Sequence, residues 1–258
     1  MKYLSELLAL FLSVPLFAAG GLRIADASRA GVPALNALAL HLALRDNLAV
    51  TIDKVTPDEA KARLAAGRAD LIVLENGNLP AERPHVCRMF AAEVLGLYVN
   101  SANGIPSVEL RDLKLMLTSS RPNWRPFYPL KDTDIHRCGL KERAPGYRLA
   151  ESLLGVESLA QDIFAVGSTE QVILIAGNDP EALGIGLLSS NVPADVRVLE
   201  VNGIPPTRSN IASGKYLMCW RYFVLGAASL PPSAKKFLGE MRSAYFAKEL
   251  ESSGFFPL

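Results

Sequence analysis

Short apolar runs and longer mixed stretches alternate along the chain. Leu22 to Ala25, Leu48 to Ile52 and Ala69 to Leu74 are mostly apolar, with Arg23, Thr51 and Asp70 among them, and read as strands inside a sheet. The stretches between them read as helices. From Pro33 onward the chain is rich in alanine and leucine. Thr56-Pro57-Asp58-Glu59 is a capping box with proline in the first turn, and the helix that it opens stops at Gly67. Strand–helix–strand–helix–strand order implies a parallel sheet with helices on its faces, an α/β fold. Ligands of such sheets bind beyond the carboxyl ends of the strands, and Glu75-Asn76-Gly77 falls at one of those ends.

Phe90 to Asn100 is a further stretch dominated by apolar residues, after which Ser107 is placed as the cap of a helix. Asp134 to Cys138 and Asp162 to Val166 predict further strands. Gly167-Ser168-Thr169-Glu170-Gln171 opens a helix, with Ser168 and Gln171 as a second capping box. Ala182 to Tyr216 reads strand, turn, strand, turn, long loop. Its apolar runs are Leu183 to Leu188 and Val196 to Val201; Asn202-Gly203 is turn chemistry, and Pro205-Pro206 forbids a continuing helix. Met218 to Leu225 is a last strand, and Pro231 to Ser252 is a helical region.

The first twenty residues form a separate object. Lys2 supplies a positive charge, Leu7 to Ala19 is apolar, and Gly20-Gly21 follows. That run has the length of a secretory signal core and is too short to cross a bilayer. Residues 1–20 are therefore expected to be a signal peptide cut after Gly20, which places the mature chain outside the cytoplasm. The alternative is a buried or anchoring helix.

Length and composition narrow the class. The 258 residues suffice for one large domain or two lobes. A chain that is 50% hydrophobic and 21% charged is not a disordered one. A net charge of +1, with no basic run, gives no argument for nucleic acid. Three cysteines leave two readings open: Cys87 and Cys138 pair, or all three stay free as small hydrophobes. The three histidines lack metal-ligand spacing, and no phosphate loop, dinucleotide fingerprint or nucleophile elbow occurs. No metal, cofactor or catalytic set is expected.

Motifs along the chain carry a resemblance. Leu183-Gly184-Ile185-Gly186, then Asn202-Gly203-Ile204-Pro205-Pro206-Thr207, then Gly214-Lys215-Tyr216 follow one another at the right spacing. Glu93 to Asn100, Leu110-Arg111-Asp112-Leu113 leading to Pro122-Asn123-Trp124, and Gly254 to Leu258 add to them. Together they resemble the phosphate-type periplasmic substrate-binding proteins. The resemblance implies a two-lobed, type II periplasmic-binding-protein-like fold with a double crossover hinge. One lobe would be Leu22 to Leu97 with Cys219 to Leu258, and the other Tyr98 to Met218. It also implies closure around a small oxyanion such as phosphate, and an ABC transporter permease as partner. Reuse of the fold as a sensor or interaction module with a degraded pocket is the alternative.

The same resemblance names the ligand residues. The first ligand loop falls on Asp26 to Gly31, where Ser28 and Arg29 are the contacts; Asp26 brings a negative charge, and Ser28 as a mere helix cap is the other reading. Glu75, with Asn76 beside it, takes the place of the acidic residue that accepts a protonated oxygen. Arg137 stands for the family arginine. Arg143, Ala144 and Pro145 occupy the place of a Ser-Gly-Thr anion loop, so both hydroxyls are missing and Arg143 becomes the main anion contact, unless it is only a surface residue near a helix start. Ser168 and Thr169 face the ligand or serve only to cap.

Overall fold

The computed structural model describes residues 21–29, 31–82 and 84–258; the signal peptide expected over residues 1–20 lies outside the described residues. In chain order the elements are β1 (Leu22–Asp26), α1 (Pro33–Asp46), β2 (Val50–Lys54), α2 (Pro57–Ala65), β3 (Leu71–Glu75), β4 (Val86–Asn100), β5 (Ser107–Val108), α3 (Leu110–Thr118), β6 (His136–Leu140) and α4 (Pro145–Leu154). Then come β7 (Phe164–Val166), α5 (Thr169–Asn178), β8 (Ala182–Leu187), β9 (Val196–Val198), β10 (Glu200–Val201), α6 (Arg208–Ser213), β11 (Cys219–Gly226), α7 (Pro232–Glu240), α8 (Ala244–Ser252) and β12 (Phe256–Pro257).

The chain divides into two compact units. The first holds the described residues up to Arg88 and returns with Val224–Glu249; the second is Met89–Phe223 with Leu250–Leu258. β4 and β11 each carry the chain from one unit to the other, and α8 carries it once more.

In the first unit β1 lies between β2 and β3, parallel to both, with Ile24 opposite Ile52 on one side and Leu71 on the other. A central parallel strand is covered on both faces, so Leu22, Ile24 and Ala25 are all buried, as is the whole of β3. α1 packs Leu35, Leu38 and Leu42 inward, and α7 adds Phe237 and Leu238. Burying each such side chain is worth about 1.5–3 kcal/mol. Arg45 of α1 bonds Glu240 of α7 at 3.0 Å, which fixes how those helices meet. Thr56 caps α2 by accepting the Glu59 N–H at 3.3 Å, as its sequence predicts.

In the second unit β8 lies between β4 and β6, antiparallel to β4 and parallel to β6, and β7 continues the parallel set beyond β6. α5 covers β8 so closely that a Cβ on Gly184 would meet Val172 Cγ1 at 2.6 Å. Trp124 is fully buried, and its Nε1 donates to the Glu181 carbonyl at 3.1 Å. Glu93 of β4 is buried and accepts the Tyr222 hydroxyl of β11.

Several local expectations are corrected. Ser107 does not cap α3. It sits in β5, donates to the Glu200 carbonyl at 3.2 Å and accepts the Gly203 N–H at 2.8 Å. The first N–H of α3, that of Leu110, goes instead to Asn202 Oδ1 at 2.8 Å. The long loop after Pro205-Pro206 contains α6, which Thr207 caps and Gly214 ends in a left-handed conformation. The C-terminal helical region is two helices. Cys87, Cys138 and Cys219 are all free, and burial raises the Cys138 thiol to about 12.

Candidate functional site

Parallel strands place their carboxyl ends along one edge, and in each unit that edge is where loops feed helix N-termini. In the first unit the edge is formed by Asp26, Lys54 and Glu75, the last residues of β1, β2 and β3. Ser28 is 1% exposed, and both its N–H and its hydroxyl donate to Asp26 Oδ1, at 2.9 and 2.5 Å. Ser28 therefore does not cap α1, whose N-cap is Val32 with no side-chain cap. The Arg29 N–H donates to Glu75, which is buried at 3% exposure. The structure thus brings together the loop and the acidic residue that the sequence predicts as ligand contacts. Asn76 follows in a short 3₁₀ turn, half-buried. Lys54, which sequence reasoning passed over, lies 3.4 Å from Asp26 Oδ2 and donates to the Ser28 carbonyl. The strand read from the sequence stops at Ile52, two residues short of it, so no local pattern marks Lys54.

In the second unit the corresponding edge follows β6 and β7. Lys141 N–H donates to the Val166 carbonyl at 3.0 Å, so the loops leading to α4 and α5 start side by side. Lys141 to Ala144 is a tight turn closed by the Ala144 N–H on the Lys141 carbonyl at 3.0 Å. Arg143, its third residue, has φ of 71°, a left-handed conformation that side chains rarely adopt. Its side chain is exposed and has no hydrogen bond or ion pair among the described residues. Ala144 is the N-cap of α4 and offers no side-chain cap, while Pro145 fills the first helical position. The N–H groups of that first turn are left without a side-chain partner.

Ser168 and Thr169 are committed elsewhere. Ser168 Oγ accepts the Gln171 N–H at 3.4 Å, and its hydroxyl bonds the Glu170 carboxylate, holding that group below its usual pKa. Thr169 Oγ1 accepts the Leu187 N–H at 3.1 Å, tying the first turn of α5 to the end of β8. Arg137 lies near the start of β6, away from the carboxyl edge. Its Nη1 donates to the Met116 and Ser119 carbonyls at 2.8 and 2.7 Å, and its Nη2 pairs with Asp162. With a side chain 1% exposed, it closes the C-terminal end of α3 instead of reaching the α4 loop. A separate open cavity of about 440 Å³ lies at the far end of α4, lined by Lys114, Leu153 and Leu154 among others.

The fold defined by these elements is that of the type II periplasmic binding proteins. No family profile matches the chain, and no curated protein sequence does. Solved structures match over nearly its whole length. PstS from Borrelia burgdorferi has a TM-score of 0.70 at 20% identity, over 92% of this chain and 98% of that one. A possible phosphate binding protein from Planctomyces limnophilus DSM 3776 has 0.71 at 14%, covering 94% of each chain. An ABC-type phosphate transport receptor from Vibrio cholerae has 0.59 at 19%, covering 91% of this chain and 99% of that one. At these identities the likeness is one of fold.

Proposed function

We propose that this protein is a non-catalytic solute-binding protein that captures a small oxyanion of the phosphate kind outside the cytoplasm and delivers it to an ABC transporter permease. One observation carries the reading. In each unit a helix, α1 or α4, opens at the carboxyl edge of a parallel sheet with no side chain capping it. Two of the three similar folds named above belong to proteins named for phosphate, a transport receptor and a possible binding protein. Uncapped N–H groups at the positive end of a helix suit an anion. Arg143, exposed on the loop that opens α4, brings the charge and the planar donor fork. A charge-assisted hydrogen bond of that kind contributes about 1.5–3 kcal/mol. Glu75, buried beside the first ligand loop, suits a protonated oxygen. One of those similar folds is a transport receptor and another a possible binding protein, which supports binding over catalysis, and the apolar run Leu7 to Ala19 supports export.

A thermal-shift screen over phosphate, sulfate, molybdate, phosphonates and small carboxylates tests it, because a ligand that binds only the folded state raises the melting temperature. An oxyanion is expected to give the largest rise. Arg143→Ala is expected to weaken that binding by about ten- to a hundredfold, with Arg143→Lys recovering part. Unchanged affinity in Arg143→Ala would remove Arg143 from the contact set. A screen with no response would favour the second reading, a sensor or interaction module. Two observations speak for that second reading: Arg143, Ala144 and Pro145 provide no hydroxyl, and the Ser28 hydroxyl is engaged by Asp26. Permease and ATPase genes beside this one would favour transport.

A further inference from the structure

The first ligand loop already holds an anion, and it comes from the chain itself. Asp26 is 5% exposed. One of its oxygens accepts both the N–H and the hydroxyl of Ser28, at 2.9 and 2.5 Å, and the other lies 3.4 Å from Lys54 Nζ. Lys54 Nζ also lies 3.4 Å from Ser28 Oγ and donates to the Ser28 carbonyl. An amide, a hydroxyl and an ammonium converging on one pair of oxygens is a donor set that grips an oxyanion. Here a side-chain carboxylate fills it. The second carboxylate on that edge, Glu75, takes the neighbouring Arg29 N–H. The Lys54 side chain is 52% exposed, so an incoming group can reach it from solvent.

We propose that Asp26 is a specificity-determining residue of the candidate anion site, an internal carboxylate that competes with the ligand for Ser28 and Lys54. The inference rests on the anion-binding reading above. Its physical content is a trade. A charged oxyanion approaching this loop meets like charge and finds the donors occupied, so the site holds it less tightly than the same loop would without Asp26. A carboxylate present only to order the loop would make the same bonds, but its removal would lower affinity along with stability.

The test is calorimetric affinity for inorganic phosphate in the wild type, Asp26→Asn and Asp26→Ala, with melting temperatures alongside. Asn keeps the shape and an acceptor oxygen but removes the charge; Ala also frees Ser28. Both variants are expected to bind tighter, by on the order of tenfold for Asn and more for Ala. Lys54→Met provides a second signature. It should weaken binding in both backgrounds, and severalfold more in Asp26→Ala, where the ammonium is released to the ligand, than in the wild type, where Asp26 and the Ser28 carbonyl engage it. Equal or weaker binding by both Asp26 variants, while the wild type binds, overturns the inference and leaves the anion reading intact. Binding by the variants alone supports it and explains a silent wild type. No binding by any of the three overturns both. If Asp26→Ala does not fold, the near-isosteric Asp26→Asn decides.

Discussion

At the scale of single residues, Arg143 combines two roles that mutation can separate. Its side chain is the exposed guanidinium of the α4 loop, and its backbone, at φ of 71°, makes the turn. A non-glycine residue pays roughly 1–2 kcal/mol for the left-handed conformation, whereas glycine adopts it freely but loses about 0.5–1 kcal/mol of unfolded-state entropy. Arg143→Gly and Arg143→Ala both delete the guanidinium, and only Gly relieves the strain. The Gly variant is therefore expected to be more stable than the Ala variant by about 0.5–1 kcal/mol, read from denaturant midpoints, while the two bind anions equally poorly. A Gly variant less stable than Ala would show that the turn does not hold this geometry in solution. A strained residue in a loop at the carboxyl edge of a sheet is a reason to test for function there.

At the scale of elements, the turn Asn202-Gly203 does more than reverse the chain. Both residues are left-handed, at φ of 53° and 70°, and Val201 and Ile204 exchange backbone hydrogen bonds at 3.1 and 3.0 Å, the geometry of a tight two-residue hairpin. Asn202 Oδ1 then caps α3 through Leu110. Asn202→Ala loses a cap worth about 0.5–2 kcal/mol and places a Cβ in a left-handed turn. A total loss of about 1–3 kcal/mol is expected in denaturant unfolding, with Asn202→Gly costing less because the turn survives. The asymmetry explains what the sequence could reveal. Asn-Gly announces its turn locally, but nothing local announces that its side chain reaches a helix ninety-two positions away. Ser107 failed for the same reason: its spacing to a helix looks like a cap, and pairing with Glu200 and Gly203 takes its hydroxyl first. Arg137 looked like a ligand arginine by position. It follows strand alternation instead: Cys138 faces α5 and Arg137 faces the end of α3. The runs of β1, β3 and β8 were readable because most of their residues are buried, which favours apolar side chains, although Arg23 in β1 is exposed. At the candidate site, the loops were readable as loops, whereas the Asp26–Ser28–Lys54 arrangement depends on β1 and β2 ending side by side.

At the scale of the whole molecule, the two units differ in how their carboxylates are held. In the first unit Arg45 lowers the pKa of Asp46 and of Glu240. Burial works to raise Asp70, but hydrogen bonds from the Arg23 side chain and backbone bring it below its ordinary value. A carboxylate with a lowered folded pKa stabilises above its unfolded value, 3.8 for Asp and 4.5 for Glu, and that contribution is lost as pH falls through the lower folded value. In the second unit Glu151 is raised, by burial and then by Glu142, so its contribution runs the other way, although Glu170 is lowered. Acid is therefore expected to loosen the first unit before the second. Amide protection factors, corrected for the intrinsic pH dependence of exchange, should fall more between pH 7 and pH 3 in β1, β3 and α1 than in β6 and β8; equal falls would refute the asymmetry. The division into units also has a temporal side. The first unit draws Phe237 and Leu238 of its core from α7, and the second draws β12 to pair with β4. During synthesis, then, the stretch that begins each unit leaves the ribosome long before the segment that completes it. Neither unit can be sealed by its own opening strands, so each has to stay open while the chain of the other is being made.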